Sequence, residues 1–319
     1  MSHIQSERLR ADIPTHFYTV VHNSHVFVMW KAHYVAEYIN YIASIVIEIL
    51  KKHPMQVNIL INTSRHVTIN NSNKNIHITI NFEHTLIKKP RGEVPGFPVG
   101  KLVDPEGENY YVRIEDVEKL DEGDIVIDYS IPNIYNIVES KIYDEFSKKL
   151  VYIAPCLYES SLMNRESRDM PVVTTFLFEE IPRRKHFLDS IRERNVSCIN
   201  HRGLSENSAF ASVFSKAKIL VNIHQKDNCL TFEELRVLPA LQCGTIVISE
   251  ISPFSEKVPY HNSIIWCSYD TIVDKVIDVL ENYDEYHYNL FNNSENVQVL
   301  KGLRGANMMG LEEKILALK

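Results

Sequence analysis

The chain predicts an α/β fold of two β/α domains, each built on a parallel sheet covered by helices and facing its neighbour across a cleft. Three observations carry this expectation. Continuous apolar, β-branched runs alternate with helical patterns of ten to fifteen residues, which is the signature of strands buried on both faces. The alternation occurs twice, separated by the polar, helix-averse stretch "CLYESSLMNRESRDMP" (156–171). At 319 residues with 45% hydrophobic content, the chain is long enough for two domains of roughly 150 residues each.

Taken in order, residues 17–21 are aromatic and β-branched and predict a strand, and "YVAEYINYIASIVIEIL" (34–50) predicts a helix running to 52. That helix is broken by Glu37, Asn40 and Glu48 and is short of the ~20 apolar residues a bilayer span requires, so it is expected to be buried. "VNILIN" (57–62) and "NIHITIN" (75–81) predict strands flanking "NNSNKN" (70–75), a solvated turn. The prolines and glycines of 88–107 forbid a long regular element and mark an extended loop or hairpin region. "DIVIDYS" (124–130), a helical stretch through Lys149 and "LVYIAP" (150–155) complete a first domain over residues 1–155.

After the linker at 156–171, the second domain (172–319) reads as strand "VVTTFLF", helix "IPRRKHFLDSIRERN", strand "VSCIN", helix "ENSAFASVFSKA" and strand "KILVNI". The helix "TFEELRVLPALQC", the strands "TIVIS" and "SIIWC", and a final helix from Tyr269 towards Tyr288 follow, that last helix being free to pack back on the first domain.

Composition excludes several classes of function. The net charge of -7, from 34 basic and 41 acidic residues, provides no field that would draw the chain to nucleic acid or an anionic membrane, so an anion must be gripped locally. Five widely spaced cysteines without a C-x-x-C pair point to reduced thiols in a cytoplasmic compartment rather than to zinc or disulfides. The first residues lack the apolar core of a secretory signal. Abundant isoleucine and asparagine suggest an AT-rich genome, as in a large virus or an intracellular microbe.

Ligands of open parallel sheets sit beyond the carboxyl ends of the strands. There the second domain places Arg183, Arg184 and Lys185 in the first turn of a helix, where the macrodipole disfavours cations and a bound anion would offset the penalty. A solvated basic face is the other reading of the same three residues. Asn222 and His224 end the next strand. Thr231 is placed to cap the following helix, whose first turn carries Glu233 and Glu234, either as ordinary helix-start acids or as ligand contacts. Gly244 ends that helix.

Taken together, "SKAKILVNIH", the glutamate-bearing helix and "ALQCGTIVISE" resemble the carboxyl-terminal, donor-binding half of GT-B-type glycosyltransferases, whose two domains are Rossmann-like. The resemblance spans residues 172–288; the amino-terminal half matches only in its β/α alternation. It implies a nucleotide-diphosphate sugar as co-substrate, no separate cofactor, a glycan or other hydroxyl-bearing acceptor, and a carboxylate on the donor ribose. "PRRKHFLDSI" corresponds to a basic segment for the donor diphosphate, with Arg184 first among the three cations because a guanidinium bridges two phosphate oxygens. The chain departs from the pattern at Pro239, where a glutamate stands five residues before the glycine. Glu233 or Glu234 is therefore expected to supply the carboxylate, with Arg236 as a phosphate contact or as their ion-pair partner. The absence of any D-x-D triplet argues for a metal-independent reaction.

On the acceptor side, candidates for the base are His25 (in "VHNSH", with His22), Glu83 and His84 (in "NFEHT"), and the segment of Asp128 and Ser130. The His22/His25 pair also reads as a polar loop or as hydrogen-bonded core histidines, since it lacks the flanking glutamate of a helix metal site. Two further readings stay open: an epimerase or hydrolase acting on nucleotide sugars on the same scaffold, and a non-catalytic sugar-nucleotide or glycan-binding module.

Overall fold

In a computed structural model of the chain, the described residues are 15–29, 35–63, 67, 69–82, 86–88, 102–103, 110–112, 120–140, 147–159, 167–201, 209–227 and 229–319. The first half contains β1 (Thr15–Val21), β2 (Ser24–Met29), α1 (Ala36–Lys52), β3 (Val57–Ile61) and β4 (Lys74–Asn81). Then come β5 (Leu86–Lys88), β6 (Leu102–Val103), β7 (Tyr110–Val112), β8 (Ile125–Asp128), α2 (Ile131–Ser140) and β9 (Leu150–Tyr152). Its main sheet has the order β1-β2-β3-β4-β8-β9 and is parallel from β2 onward, while β5, β7 and β6 form a small antiparallel sheet in and around 88–107, the stretch expected to be an extended loop or hairpin region. Every residue of β3 and of β8 is buried, as unbroken Val/Ile/Leu runs require.

The second half contains β10 (Met170–Thr174), α3 (Pro182–Glu193), β11 (Cys198–Asn200), α4 (Ala209–Lys216) and β12 (Ala217–Asn222). It continues with α5 (Glu234–Gln242), β13 (Ile246–Glu250), β14 (Ile264–Cys267), α6 (Ile272–Glu281), α7 (Tyr283–Phe291) and α8 (Ser294–Ala317). Its five strands are all parallel in the order β11-β10-β12-β13-β14. The strand order reverses between β10 and β12, which places a crevice at their carboxyl ends.

Four features differ from the sequence expectation. His22 and Asn23 adopt left-handed backbone (φ 48° and 69°) and close a two-residue hairpin, so residues 24–29 form a strand that the sequence reading does not include. The asparagines of 70–75 are not merely solvated: the Asn58 side chain donates to Asn71 Oδ1 (2.9 Å) and Asn75 Oδ1 (2.7 Å), and Asn73 donates to the hairpin carbonyl of Asn23 (2.9 Å). β10 stops at Thr174 because the Asn200 amide takes over the backbone of Phe176, accepting from its N–H (2.8 Å) and donating to its carbonyl (3.1 Å). Finally, 269–288 is divided among a 3-10 turn, α6 and α7, and a further long helix, α8, follows.

Helix α8 starts beside the second sheet, where Asn293 caps it through Glu295 N–H, and crosses to the first. There Asn307, wholly buried, pairs with the backbone of Ala154 in both directions (2.7 and 2.8 Å), Glu312 binds Lys52 and His53, and Arg304 binds Glu48 (2.6 Å). A Cβ on Gly310 would lie 3.4 Å from the Val151 side chain, so the small residue lets helix and sheet edge approach. Among the described residues no helix is long and apolar enough to cross a membrane.

Candidate functional site

The crevice at the strand reversal opens into a pocket of about 280 Å³ between the halves. From the second half it is lined by Thr175, Leu177 and Phe178 after β10, by Asn222 to Gln225 after β12, by Arg184 from the first turn of α3, and by Glu233 and Arg236 at the start of α5. From the first half come Val35, Phe82 and Tyr129, residues at or beyond the carboxyl ends of their strands except for Val35, which precedes α1.

The polar lining is incompletely satisfied. Thr175 Oγ1, Arg184 Nε, Asn222 Oδ1 and Arg236 Nη1 are all buried, and none has a hydrogen-bond partner among the described residues. Buried polar atoms are normally paired, and four orphans around one cavity describe the complement of a polar ligand. Two of the four belong to guanidinium groups. Burial, and then the neighbouring charge of Arg236, lowers the Arg184 pKa to about 10, with Glu233 opposing the shift. Among the described residues Glu233 is the only carboxylate lining the pocket, and it pairs with Arg236 at 3.3 Å. The described lining therefore carries two guanidinium cations against one carboxylate, a balance that favours an anionic ligand.

Of the three cations opening α3, only Arg184 lines the pocket; it also lies over the Phe176 ring, 4.7 Å from the centroid. Arg183 turns the other way, donating to Glu250 (2.5 Å) and Asp227 (3.0 Å) with its guanidinium 3.8 Å from the Tyr269 ring centroid. Lys185 is exposed and binds Asp189 one turn along the helix (2.6 Å). Helical geometry explains the division, since successive side chains point about 100° apart. The solvated-face reading thus describes Lys185, and Arg183 is a structural ion pair.

Asn222 and His224 both line the pocket. The Asn222 amide donates to Ser249 Oγ (3.0 Å), which leaves its oxygen turned away as one of the orphans. His224 is held by Glu250, which accepts its backbone N–H (3.1 Å), and by the Ile251 carbonyl, 3.2 Å from Nε2. Thr231 lines the pocket but does not cap α5: its hydroxyl donates to Asn133 Oδ1 of the first half (3.0 Å), and Glu233 occupies the cap position.

Glu234 corrects the expectation further. It is fully buried outside the pocket and accepts from Ile131 N–H (2.7 Å), Tyr152 OH (2.5 Å) and Tyr260 OH (2.6 Å), so no oxygen is available to a ribose. Burial pushes its pKa up to about 7. Gly244 closes α5 as expected, at φ 73°, with Thr245 N–H bonded to Ala240 O and Gly244 N–H to Leu241 O, the paired bonds of a Schellman end.

On the acceptor side, His25 lies at the amino-terminal end of β2, at the opposite edge of the parallel sheet from the pocket, where Tyr18 OH is 2.5 Å from its Nδ1. It does not line the pocket. Asp128 is buried and accepts from Asn81 (2.7 Å) and Ser130 N–H (2.8 Å), a structural role. Glu83 and His84 lie outside the described residues, although their neighbour Phe82 lines the pocket. Sequence reasoning missed Thr175, because the strand was carried four residues too far, and Tyr129, which directly follows β8 and obeys the same end-of-strand rule as Asn222.

No family model matches the chain. Two uncharacterized proteins of Acanthamoeba polyphaga mimivirus are similar to it: R358, 27% identical over 180 residues, covering 54% of this chain and 59% of that protein, and L137, 28% identical over 182 residues, covering 54% and 23%. The matches thus span less than two thirds of these relatives. Among solved structures the chain is similar to TarM (TM-score 0.49, 10% identity, 86% of this chain and 58% of that one) and to an alpha1,3-fucosyltransferase (0.41, 12%, 88% of each). It is also similar to the sucrose-phosphate synthase of Thermosynechococcus elongatus (0.41, 12%, 90% and 79%). At TM-scores below 0.5 these likenesses add nothing to the reading of the site.

Proposed function

We propose that the chain is a glycosyltransferase that moves a sugar from a nucleotide-diphosphate donor to an acceptor hydroxyl without a metal ion. The observation that carries the reading is the set of four orphaned buried polar atoms at the strand reversal, two of them guanidinium N–H groups on different helices. A diphosphate presents oxygens to both arginines at once, and Asn222 Oδ1 accepts from a ligand hydroxyl or amine. In the reaction, the bond between the anomeric carbon and the diphosphate breaks and negative charge gathers on the leaving group. Buried Arg184 and the partly exposed Arg236, both already in place, stabilise that charge as it grows. Glu233 is the carboxylate positioned for the ribose hydroxyls, displacing the role expected of Glu234. Glu83 and His84 are the proposed bases that take the acceptor proton.

The test is a thermal-shift screen of the whole chain against uridine, guanosine and cytidine diphosphates and their sugars. A ligand that binds the native state at 100-fold its Kd stabilises it by about 2.7 kcal/mol. The expected result is a shift with one nucleotide series that is lost in Arg184→Gln. No shift with any of them would overturn the reading.

A further inference from the structure

The stretch Thr231–Glu234 belongs to the second half but is hydrogen-bonded to the first along almost its whole length. Thr231 Oγ1 donates to Asn133 Oδ1 (3.0 Å), Ser130 Oγ donates to the Phe232 carbonyl (3.2 Å), and Ile131 N–H and Tyr152 OH donate to the two oxygens of Glu234 (2.7 and 2.5 Å). Ile131 opens α2, and the first amides of a helix have no acceptor within it. A carboxylate from the other half supplies one, at the end of the helix where negative charge is favoured. Glu233, set between these anchored residues, turns into the pocket with Arg236.

We propose that Glu234 is a positioning residue that latches the two halves together and thereby couples occupancy of the pocket to their relative setting; the coupling rests on the pocket's being an anion site. The first half grips Thr231, Phe232 and Glu234, so the backbone at Glu233 cannot move relative to α2 unless those bonds break. An anion bridging Arg184 on α3 and Arg236 on α5 holds α5 where the latch forms. By linkage, a formed latch holds Arg236 where the anion needs it.

The test compares the whole wild-type chain with Glu234→Ala and Glu234→Gln by amide hydrogen exchange, and measures binding of inorganic pyrophosphate by calorimetry. In Glu234→Ala, exchange at residues 129–134 and 231–236 should rise at least tenfold while β3, β12 and β13 stay protected. Glu234→Gln, which keeps an acceptor for Ile131 N–H, should fall between the two, a graded rescue that a general loss of stability would not produce. Pyrophosphate should bind Glu234→Ala about tenfold more weakly and should slow exchange at 129–134 in the wild type. Unchanged exchange in Glu234→Ala would overturn the latch, and pyrophosphate that binds without slowing exchange at 129–134 would overturn the coupling. A wild-type chain that does not bind pyrophosphate overturns the anion reading and the coupling with it; exchange in Glu234→Ala then decides the latch separately. Should Glu234→Ala fail to fold, Tyr152→Phe, which removes one donor and leaves two, carries the same comparison.

Discussion

Glu233 and Glu234 are adjacent in the chain and face opposite environments: Glu233 lines the pocket beside Arg236, and Glu234 is fully buried at the junction between the halves with three donors around it. The two carboxylates thus separate ligand binding from architecture, and substitutions at each should have different signatures.

Glu233→Gln is expected to raise the Kd for the nucleotide diphosphate by roughly tenfold to a hundredfold, the scale of one charge-assisted hydrogen bond. Its thermal midpoint without ligand should stay close to wild type, since its ion pair with Arg236 is a partly exposed contact within one helical turn. Calorimetric titration alongside unfolding curves checks both; unchanged affinity would remove Glu233 from the donor site.

Glu234 makes stability depend on pH. Its pKa is raised from 4.5 to about 7 by burial, so the folded state holds the proton more tightly than the unfolded state does. The contribution is therefore fully present below about pH 4.5 and is lost as pH rises through about 7. Urea midpoints measured from pH 5 to 8 should show this fall superimposed on the rest of the protein's profile, and Glu234→Gln should remove that component. A variant with the wild-type slope would contradict the assignment.

The three cations of α3 should behave as three different residues. Arg184→Gln should lower turnover by about 10²-fold, more than it weakens donor binding, because it removes a stabiliser of charge that accumulates in the transition state. Arg183→Gln should destabilise the fold by ~3 kcal/mol by leaving Glu250 without its buried partner. Lys185→Gln should change stability by less than ~0.5 kcal/mol and leave turnover alone. Steady-state kinetics and denaturant midpoints on the three variants distinguish these outcomes, and equal effects at all three positions would contradict the geometry.

Asn307→Leu should destabilise the chain by roughly 2 kcal/mol, since the buried N–H of Ala154 loses its acceptor, while the Ala154 carbonyl keeps the Cys156 N–H (2.8 Å). The loss should be visible as a lower urea midpoint; a midpoint within error of wild type would mean that water replaces the amide.

What could be read from the sequence followed rules that act over a few residues. The runs 57–61 and 246–250 declared themselves as buried parallel strands, Gly244 marked a helix end, and Asn222 followed from the position of a strand's carboxyl end. Where several side chains share a turn, helix rotation separates them, but which one meets the pocket is set by distant partners: β13 and Asp227 take Arg183, and Ile131, Tyr152 and Tyr260 take Glu234. The hairpin at His22–Asn23 lacked the usual Asn-Gly signal. Helix α8 was hidden by Gly302, Gly305 and Gly310, poor helix formers whose cost is met by packing across the two halves.

Because α8 returns to the first sheet, the polypeptide passes between the halves twice, once through the segment after β9 and once through the beginning of α8. A body tied to another by one strap can swing in any direction; tied by two, it turns most easily about the line that joins them. Opening of the cleft should therefore resemble a door on two hinges, a single rotation that widens the pocket mouth while the edge bearing both straps stays nearly still.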